Sequence, residues 1–129
     1  MKDNLMITIS SLLSIILTTF HITSDMALGI DKPGLGMLFV FVPMVVLFLY
    51  ATLLLPGRRS GFIIILLGSL FGLAVIYLHL SSPRIGARAT ASGGFFFIWT
   101  LVALGATSLF SVILAARGLW ALQRAKRVS

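Results

Sequence analysis

Four long apolar runs, separated by short connections, limit what this chain of 129 residues can fold into. A helix needs about 20 apolar residues to cross the hydrocarbon core of a bilayer, which is about 30 Å thick. The chain is 59% hydrophobic and 10% charged, unlike a soluble domain. We therefore predict a single transmembrane domain, an all-α four-helix bundle with short loops. Its predicted helices cover residues 5–23, 35–55, 61–80 and 94–117, and a basic tail covers 118–129.

Two of these runs have two interpretations each. The first also resembles the hydrophobic region of a signal peptide, but the only candidate cleavage site, Ile22-Thr23-Ser24, is weak. We predict that this run stays in the protein as the first helix. The second run contains Pro43, which removes one backbone hydrogen bond and predicts either a packing kink or a hinge.

Small residues on two predicted helices indicate where helices pack closely. In the third helix, Gly61, Gly68 and Gly72 fall on one face, and the last two have the small-x-x-x-small spacing of close helix contacts. Each glycine costs about 1 kcal/mol against alanine inside a helix, which favours a packing role. The fourth helix has a matching face, formed by Thr100, Ala103, Thr107, Ser111 and Ala115. We predict the tightest helix contact between these two faces.

The distribution of lysine and arginine predicts the orientation in the membrane. If the N-terminus is cytoplasmic, Lys32, Arg84 and Arg88 lie outside. The basic residues inside are then Lys2, Arg58, Arg59, Arg117, Arg124, Lys126 and Arg127. Because short cytoplasmic loops carry the excess of basic residues, this bias predicts a multi-pass cell-membrane protein with both termini in the cytoplasm. It also explains the net charge of +7 without a nucleic-acid partner.

The third connection and the residues after it are predicted to lie at the outer surface. Residues 81–93 have the composition of an exposed loop, rich in Ser, Ala and Gly. An aromatic cluster, Phe95-Phe96-Phe97 with Trp99, opens the fourth helix. Aromatic side chains are enriched where the bilayer meets water, so we predict that this whole cluster lies at the interface.

The two histidines are the strongest candidates for a functional site. His21 and His79 lie 16 and 18 residues from the starts of their runs, on helices predicted to run in the same direction. At about 1.5 Å per residue they reach nearly the same depth, close to the outer surface. Asp25 lies one helical turn beyond His21, where a carboxylate can orient an imidazole. Polar residues share this face of the first helix, namely Ser10, Ser14 and Thr18.

Two interpretations of these histidines stay open. In the first, they are interfacial residues that hydrogen-bond locally and fix the outer ends of their helices. In the second, they bind a ligand: a b-type haem between His21 and His79, a metal with Asp25 as the third ligand, or the head group of a quinone or lipid. Histidine and carboxylate suit zinc, iron or copper. Arg84, on the following connection, is a candidate to clamp an anionic group.

Absent residue types narrow the function further. The chain has no cysteine, which excludes thiolate metal sites and iron–sulfur clusters. No charged residue lies in the middle of a predicted helix, so a proton-coupled exporter similar to the small multidrug resistance family would lack its membrane carboxylate. Nucleophile elbows and glycine-rich phosphate loops are also missing. We predict no catalytic residues, and the sequence favours a non-enzymatic role over an enzymatic one.

We therefore expect an accessory or interaction subunit of a larger membrane assembly. Its partners would be the lipid bilayer and other membrane subunits or a second copy of the chain. The alternative function is a cofactor- or ligand-binding membrane protein that uses His21 and His79. The cofactor in that case would be haem b, a histidine-ligated metal or a quinone.

Overall fold

The computed structural model describes residues 2–29 and 34–128, and these ranges are almost entirely helical. The helices are α1 Lys2–Ala27, α2 Leu35–Leu54, α3 Arg59–Leu80, α4 Ile85–Thr90 and α5 Gly94–Val128. Three of them, α1, α3 and α5, are long and apolar enough to cross a membrane. The apolar part found in α2, Phe39–Leu54, is shorter. Lys32, which was counted for the orientation, lies outside the described residues.

Several helix boundaries differ from the prediction. α1 continues to Ala27 rather than ending at residue 23, and Gly29 follows it with a φ of 68°, the left-handed conformation that commonly ends helices. α5 includes the predicted basic tail in one helix of 35 residues, because the tail consists mainly of good helix formers. At about 1.5 Å per residue α5 is about 52 Å long and exceeds the hydrocarbon core. The connection 81–93 contains the six-residue helix α4.

The four long helices pack side by side, with α5 between α1 and α3, and with α2 against α3 and α1. α5 runs antiparallel to α1, because Ser10 contacts Ser111 while His21 contacts Thr100. The carboxyl ends of α1 and α3 therefore lie together with the amino ends of α2 and α5. We call this the histidine end, and the opposite end, which holds the turn at residues 55–58, the turn end.

The turn end is closed by an apolar core. Its buried side chains are Ile7, Ile15, Phe48, Ala51, Phe62, Ile65, Leu114 and Ala115. α3 and α5 approach closely here, since a Cβ added at Gly118 would lie only 2.5 Å from the Phe62 ring. The buried ionisable side chains, His21 and Asp25, lie at the other end.

The glycines of α3 do not share one partner helix, contrary to the prediction. Gly72 does lie against α5, where an added Cβ would be 2.5 Å from the Ser108 hydroxyl oxygen. Gly68 instead lies against the Phe48 ring of α2, at 3.3 Å from such a Cβ, and Gly61 lies against the Leu55 carbonyl in the turn. α3 is packed between α2 and α5, so a small angular difference between glycines is enough to change the neighbour.

Among the described helices, α3 and α5 make the most extensive contact. Three residues of the small-residue face of α5 also contact α1, namely Thr100, Thr107 and Ser111. The Ser10 hydroxyl donates to the Thr107 carbonyl at 2.9 Å and lies 2.9 Å from the Ser111 hydroxyl, while Thr100 contacts His21. Ala103 accepts a hydrogen bond from the Thr107 hydroxyl within α5. The polar face of α1 needs hydrogen-bond partners in an apolar environment, and hydroxyls on a neighbouring helix provide them.

Candidate metal centre

His21 has one ring nitrogen satisfied and the other free. It lies on α1 with 1% of its side chain exposed, and its Nδ1 is 3.2 Å from the Thr100 hydroxyl oxygen. That hydroxyl donates its own proton to the Phe97 carbonyl at 3.0 Å, so it accepts from His21 Nδ1–H. The neutral imidazole then carries its lone pair on Nε2. Among the described residues, Nε2 has no hydrogen-bond partner.

His79 is held in the same tautomer by its own helix. Its Nδ1 lies 2.8 Å from the Val75 carbonyl oxygen, which can only accept, so Nδ1–H donates. Its Nε2 lies 3.0 Å from Asp25 Oδ2. Without a proton between them, the lone pairs of His79 Nε2 and Asp25 Oδ2 would repel each other at this distance. His79 and Asp25 therefore share one proton, in addition to the proton on His79 Nδ1.

Asp25 joins the two histidines. Its Oδ2 is 3.0 Å from His79 Nε2 and 3.8 Å from His21 Nε2, and 2% of the side chain is exposed. Its other oxygen, Oδ1, has no partner in the described part of the chain. A buried acceptor without a donor costs about 1–3 kcal/mol, and more when it is charged. The cluster therefore holds two buried acceptor atoms whose burial is not offset by any hydrogen bond from the described residues.

Phe97 closes the α5 side of the cluster. It is fully buried, and its ring centroid lies 5.1 Å from that of His21 and 5.7 Å from that of His79. Its neighbours Phe95 and Trp99 are exposed, as expected of interfacial aromatics. The prediction for Phe97 itself is wrong. Helical spacing from Phe97 to the buried residues Thr100, Leu101, Leu104 and Ser108 was the signal that could have identified it.

The cluster brings together three groups that are able to ligate a small transition-metal ion. One ligand atom from each of His21, Asp25 and His79 lies within 4.8 Å of the others. In a tetrahedral zinc site with Zn–N distances of about 2.0–2.1 Å, two ligand atoms are about 3.4 Å apart. The distances of 3.0 and 3.8 Å to Asp25 fall on either side of this value. Metal-ligating histidines usually donate their second N–H to a carbonyl or another acceptor, as both do here.

The same geometry excludes a haem between the histidines. Their ring centroids are 4.8 Å apart, and the rings meet edge to face at 74°. In a haem held by two imidazoles, the rings lie on opposite faces of the porphyrin, and their coordinating nitrogens point at each other with the iron between them. Asp25 also lies against both Nε2 atoms. Of the ligands predicted from the sequence, a metal ion and the head group of a quinone or lipid remain.

Arg84 is not part of this site. It precedes α4, its side chain is exposed, and its backbone N–H lies 3.4 Å from the Ser82 hydroxyl. It is absent from the described residues that form the cluster or line the neighbouring cavity. The structure therefore does not bring Arg84 together with the histidines, and its role in binding an anion stays a prediction.

Fold and site together define a class of molecule: an all-helical protein with three helices able to cross a membrane and a buried His–Asp–His cluster at one end. Comparisons with protein-family models, with curated proteins and with solved structures found no match to this chain.

Proposed function

We propose that this chain is a multi-pass membrane protein that binds one divalent transition-metal ion through His21, Asp25 and His79. One observation carries the proposal. His21 Nε2 and Asp25 Oδ1 are buried acceptors without a partner in the described chain, and both belong to residues whose remaining polar atoms are held in place. A cation held between the two Nε2 atoms and the Asp25 carboxylate would satisfy the free Nε2 of His21 and neutralise the carboxylate charge, and it would replace the proton that His79 and Asp25 share.

The donor set also limits which ions fit. Two imidazole nitrogens and one carboxylate oxygen suit zinc, and they also suit iron(II), copper(II) and related first-row ions. Calcium and magnesium prefer six or more oxygen ligands, which two histidines do not supply. Zinc is therefore the first ion to test, followed by iron and copper. When bound, such an ion supplies a Lewis-acidic centre with at least one position not filled by the protein.

The proposal includes a membrane topology. α2 would be the fourth span, since Leu35–Leu54 contains 20 residues and no charged side chain. The excess of basic residues near the turn end, including Arg58, Arg59 and Arg117, supports cytoplasmic termini, with the histidine end outside. Reporter fusions after residues 60 and 129 should report the cytoplasm, and one within 81–93 should report the outside. An external signal from the C-terminal fusion would reverse the orientation.

Metal analysis of the purified full chain tests the binding site directly. After exposure to zinc and removal of free metal, we expect one zinc per chain by elemental analysis. His79→Ala should reduce this to near zero, and Ser10→Ala, which changes a buried polar residue of α1 outside the cluster, should keep it. Zinc retained by His79→Ala, or absent from the wild-type protein with iron and copper absent as well, would refute the proposal. A haem absorption spectrum would also refute it.

The accessory-subunit role stays a prediction, and metal binding is compatible with it. A subunit of a membrane assembly that carries the metal of that assembly would have both properties. The two hypotheses separate experimentally, because the metal content of the isolated chain does not depend on a partner.

A further inference from the structure

A cavity adjoins the proposed metal cluster and has α2 as part of its wall. Its volume is about 320 Å³, and α1, α2, α3 and one residue of α5 line it. Apart from His21, Asp25 and His79, almost all residues of its wall are apolar. The apolar side chains include Val40, Phe41, Met44, Phe71 and Leu104. Ligand pockets in proteins are typically about 300–1,000 Å³, so this one has room for a small ligand or a single chain.

The cavity borders the three residues that would hold the metal. Three protein ligands leave a tetrahedral ion with one vacant position. On the α5 side this position is blocked, because the Phe97 ring covers both imidazoles and Thr100 holds His21. The cavity is on the other side of the cluster, and His21, Asp25 and His79 all contribute to its wall.

The net charge of the metal site determines which head group is favoured in a ligand at this position. A divalent ion with two neutral imidazoles and one carboxylate leaves a net charge of about +1 in a buried site. Isolated charge is costly in an apolar environment, so a singly anionic oxygen donor is favoured over a neutral one. The apolar wall of the cavity favours a ligand whose remaining part is hydrocarbon.

We propose that the cavity binds a single-chain carboxylate of the fatty-acid type, with its head group on the metal and its chain along Met44 and Phe71. This inference depends on the proposed metal site. The ligand is distinguished from a small carboxylate such as acetate by the contribution of its chain. Each buried CH2 group is worth about fourfold in affinity, so a medium-length chain held in the cavity binds far more tightly than acetate.

Cobalt(II) in place of zinc makes the binding visible, because its absorption spectrum changes with the ligands. The full chain in nanodiscs of neutral lipid would be loaded with cobalt and titrated with decanoate or with acetate. We expect decanoate to change the spectrum at concentrations at least about 100-fold lower than acetate. Since decanoate also partitions into the bilayer, a second comparison is needed.

Two tryptophan variants of α2 separate the cavity from the bilayer. Met44→Trp fills the cavity, whereas Val46→Trp changes an exposed residue of the same helix that is not in its wall. Met44→Trp should weaken decanoate binding by about tenfold or more without changing the acetate response, and Val46→Trp should change neither. The cobalt spectrum of each variant shows that its cluster is assembled, so a folding defect is recognised.

The outcomes distinguish the two proposals. If cobalt gives no spectrum, the metal site fails and this inference fails with it. If cobalt binds but decanoate leaves the spectrum unchanged, or if Met44→Trp binds decanoate as well as the wild type does, the inference alone is overturned. If Met44→Trp binds decanoate as well as the wild type does, the hydrocarbon chain of decanoate lies in the bilayer and not in the cavity.

Discussion

The chain buries polar side chains in two regions with different chemistry. One is the hydroxyl seam between α1 and α5, formed by Ser10, Ser14, Thr107 and Ser111. Its hydroxyls donate to backbone carbonyls or to each other, as Ser14 does to the Ser10 carbonyl at 3.0 Å. The other is the His21–Asp25–His79 cluster, in which two acceptors stay without partners within the described chain. Within the described residues, the polar atoms of the seam have hydrogen-bond partners, and two of those in the cluster do not.

The difference follows from the side chains themselves. A serine or threonine in a helix can donate to the carbonyl one turn earlier, so its burial costs little. An imidazole that donates from Nδ1 still has a lone pair on Nε2, and a carboxylate has only acceptors. Three other buried hydroxyls, those of Ser11, Ser69 and Ser108, lack partners in the described structure, but they are neutral. A cation would therefore stabilise the cluster, which has acceptors without partners among the described residues, but not the seam, whose hydroxyls are already hydrogen-bonded.

The largest expected effect is metal-dependent stability. With free zinc at 100 times its dissociation constant, the free energy of unfolding should rise by about 2.7 kcal/mol in the wild type, because zinc binds only the folded chain. Thermal unfolding in detergent, with and without zinc, measures the shift. Ser10→Ala, a variant of the seam, should keep it and His79→Ala should lose it. Equal shifts in these two variants would mean that zinc binds elsewhere.

Gly72→Leu tests whether close packing and the polar cluster are independent. The new side chain would collide with Ser108 and Leu104 of α5, and such overpacking costs about 1–3 kcal/mol. Gly36→Leu in α2 is the control, since a Cβ there meets nothing within 4 Å. We expect a lower melting temperature for Gly72→Leu alone. Unchanged stability would place the glycine face of α3 against lipid.

A count of released protons sharpens the contrast through the proton shared by His79 and Asp25. Zinc has to displace this proton, so about one proton should be released for each ion bound. Calorimetry in two buffers of different ionisation enthalpy counts the protons. A count of zero would contradict the proton assignment.

The smallest effect is expected in the seam. Ser10→Ala removes hydrogen bonds to Thr107 and Ser111, and hydrogen bonds between membrane helices average about 0.6 kcal/mol. Thermal unfolding of this variant, with Leu13→Ala at an exposed position of the same helix as a control, measures the loss. A decrease above about 2 kcal/mol would show that the seam is more than a set of ordinary hydrogen bonds.

Helical periodicity predicted the cluster better than it predicted the contacts around it. His21 and Asp25 are one turn apart on any helix, and the depth of His79 follows from the length of its apolar run. These relations are local, so the sequence contains them. Which helix faces which is decided by packing of the whole chain, and for that reason Thr100 was assigned to the wrong neighbour and Phe97 to the bilayer interface.

The boundaries of α1 and α5 were missed for a related reason. Apolar runs measure the part of a helix that suits lipid, whereas the helix continues as far as its residues and caps permit. α1 extends to Ala27, which keeps Asp25 helical, and α5 continues through its basic residues to Val128. Hydropathy therefore located the long helices and underestimated the lengths of α1 and α5.

The cluster also joins parts of the chain that have little else in common. Asp25 and His79 are separated by 54 residues, and α1 and α3 touch less than the other long helices that pack together. The chain contains no cysteine, so no disulfide can connect them. A bound ion would act as a cross-link that closes this long loop, and such links restrict an unfolded chain more as the loop grows. Chelation would remove this cross-link and leave the Asp25–His79 hydrogen bond between α1 and α3, so the metal-free chain should unfold more readily than the metal-bound one.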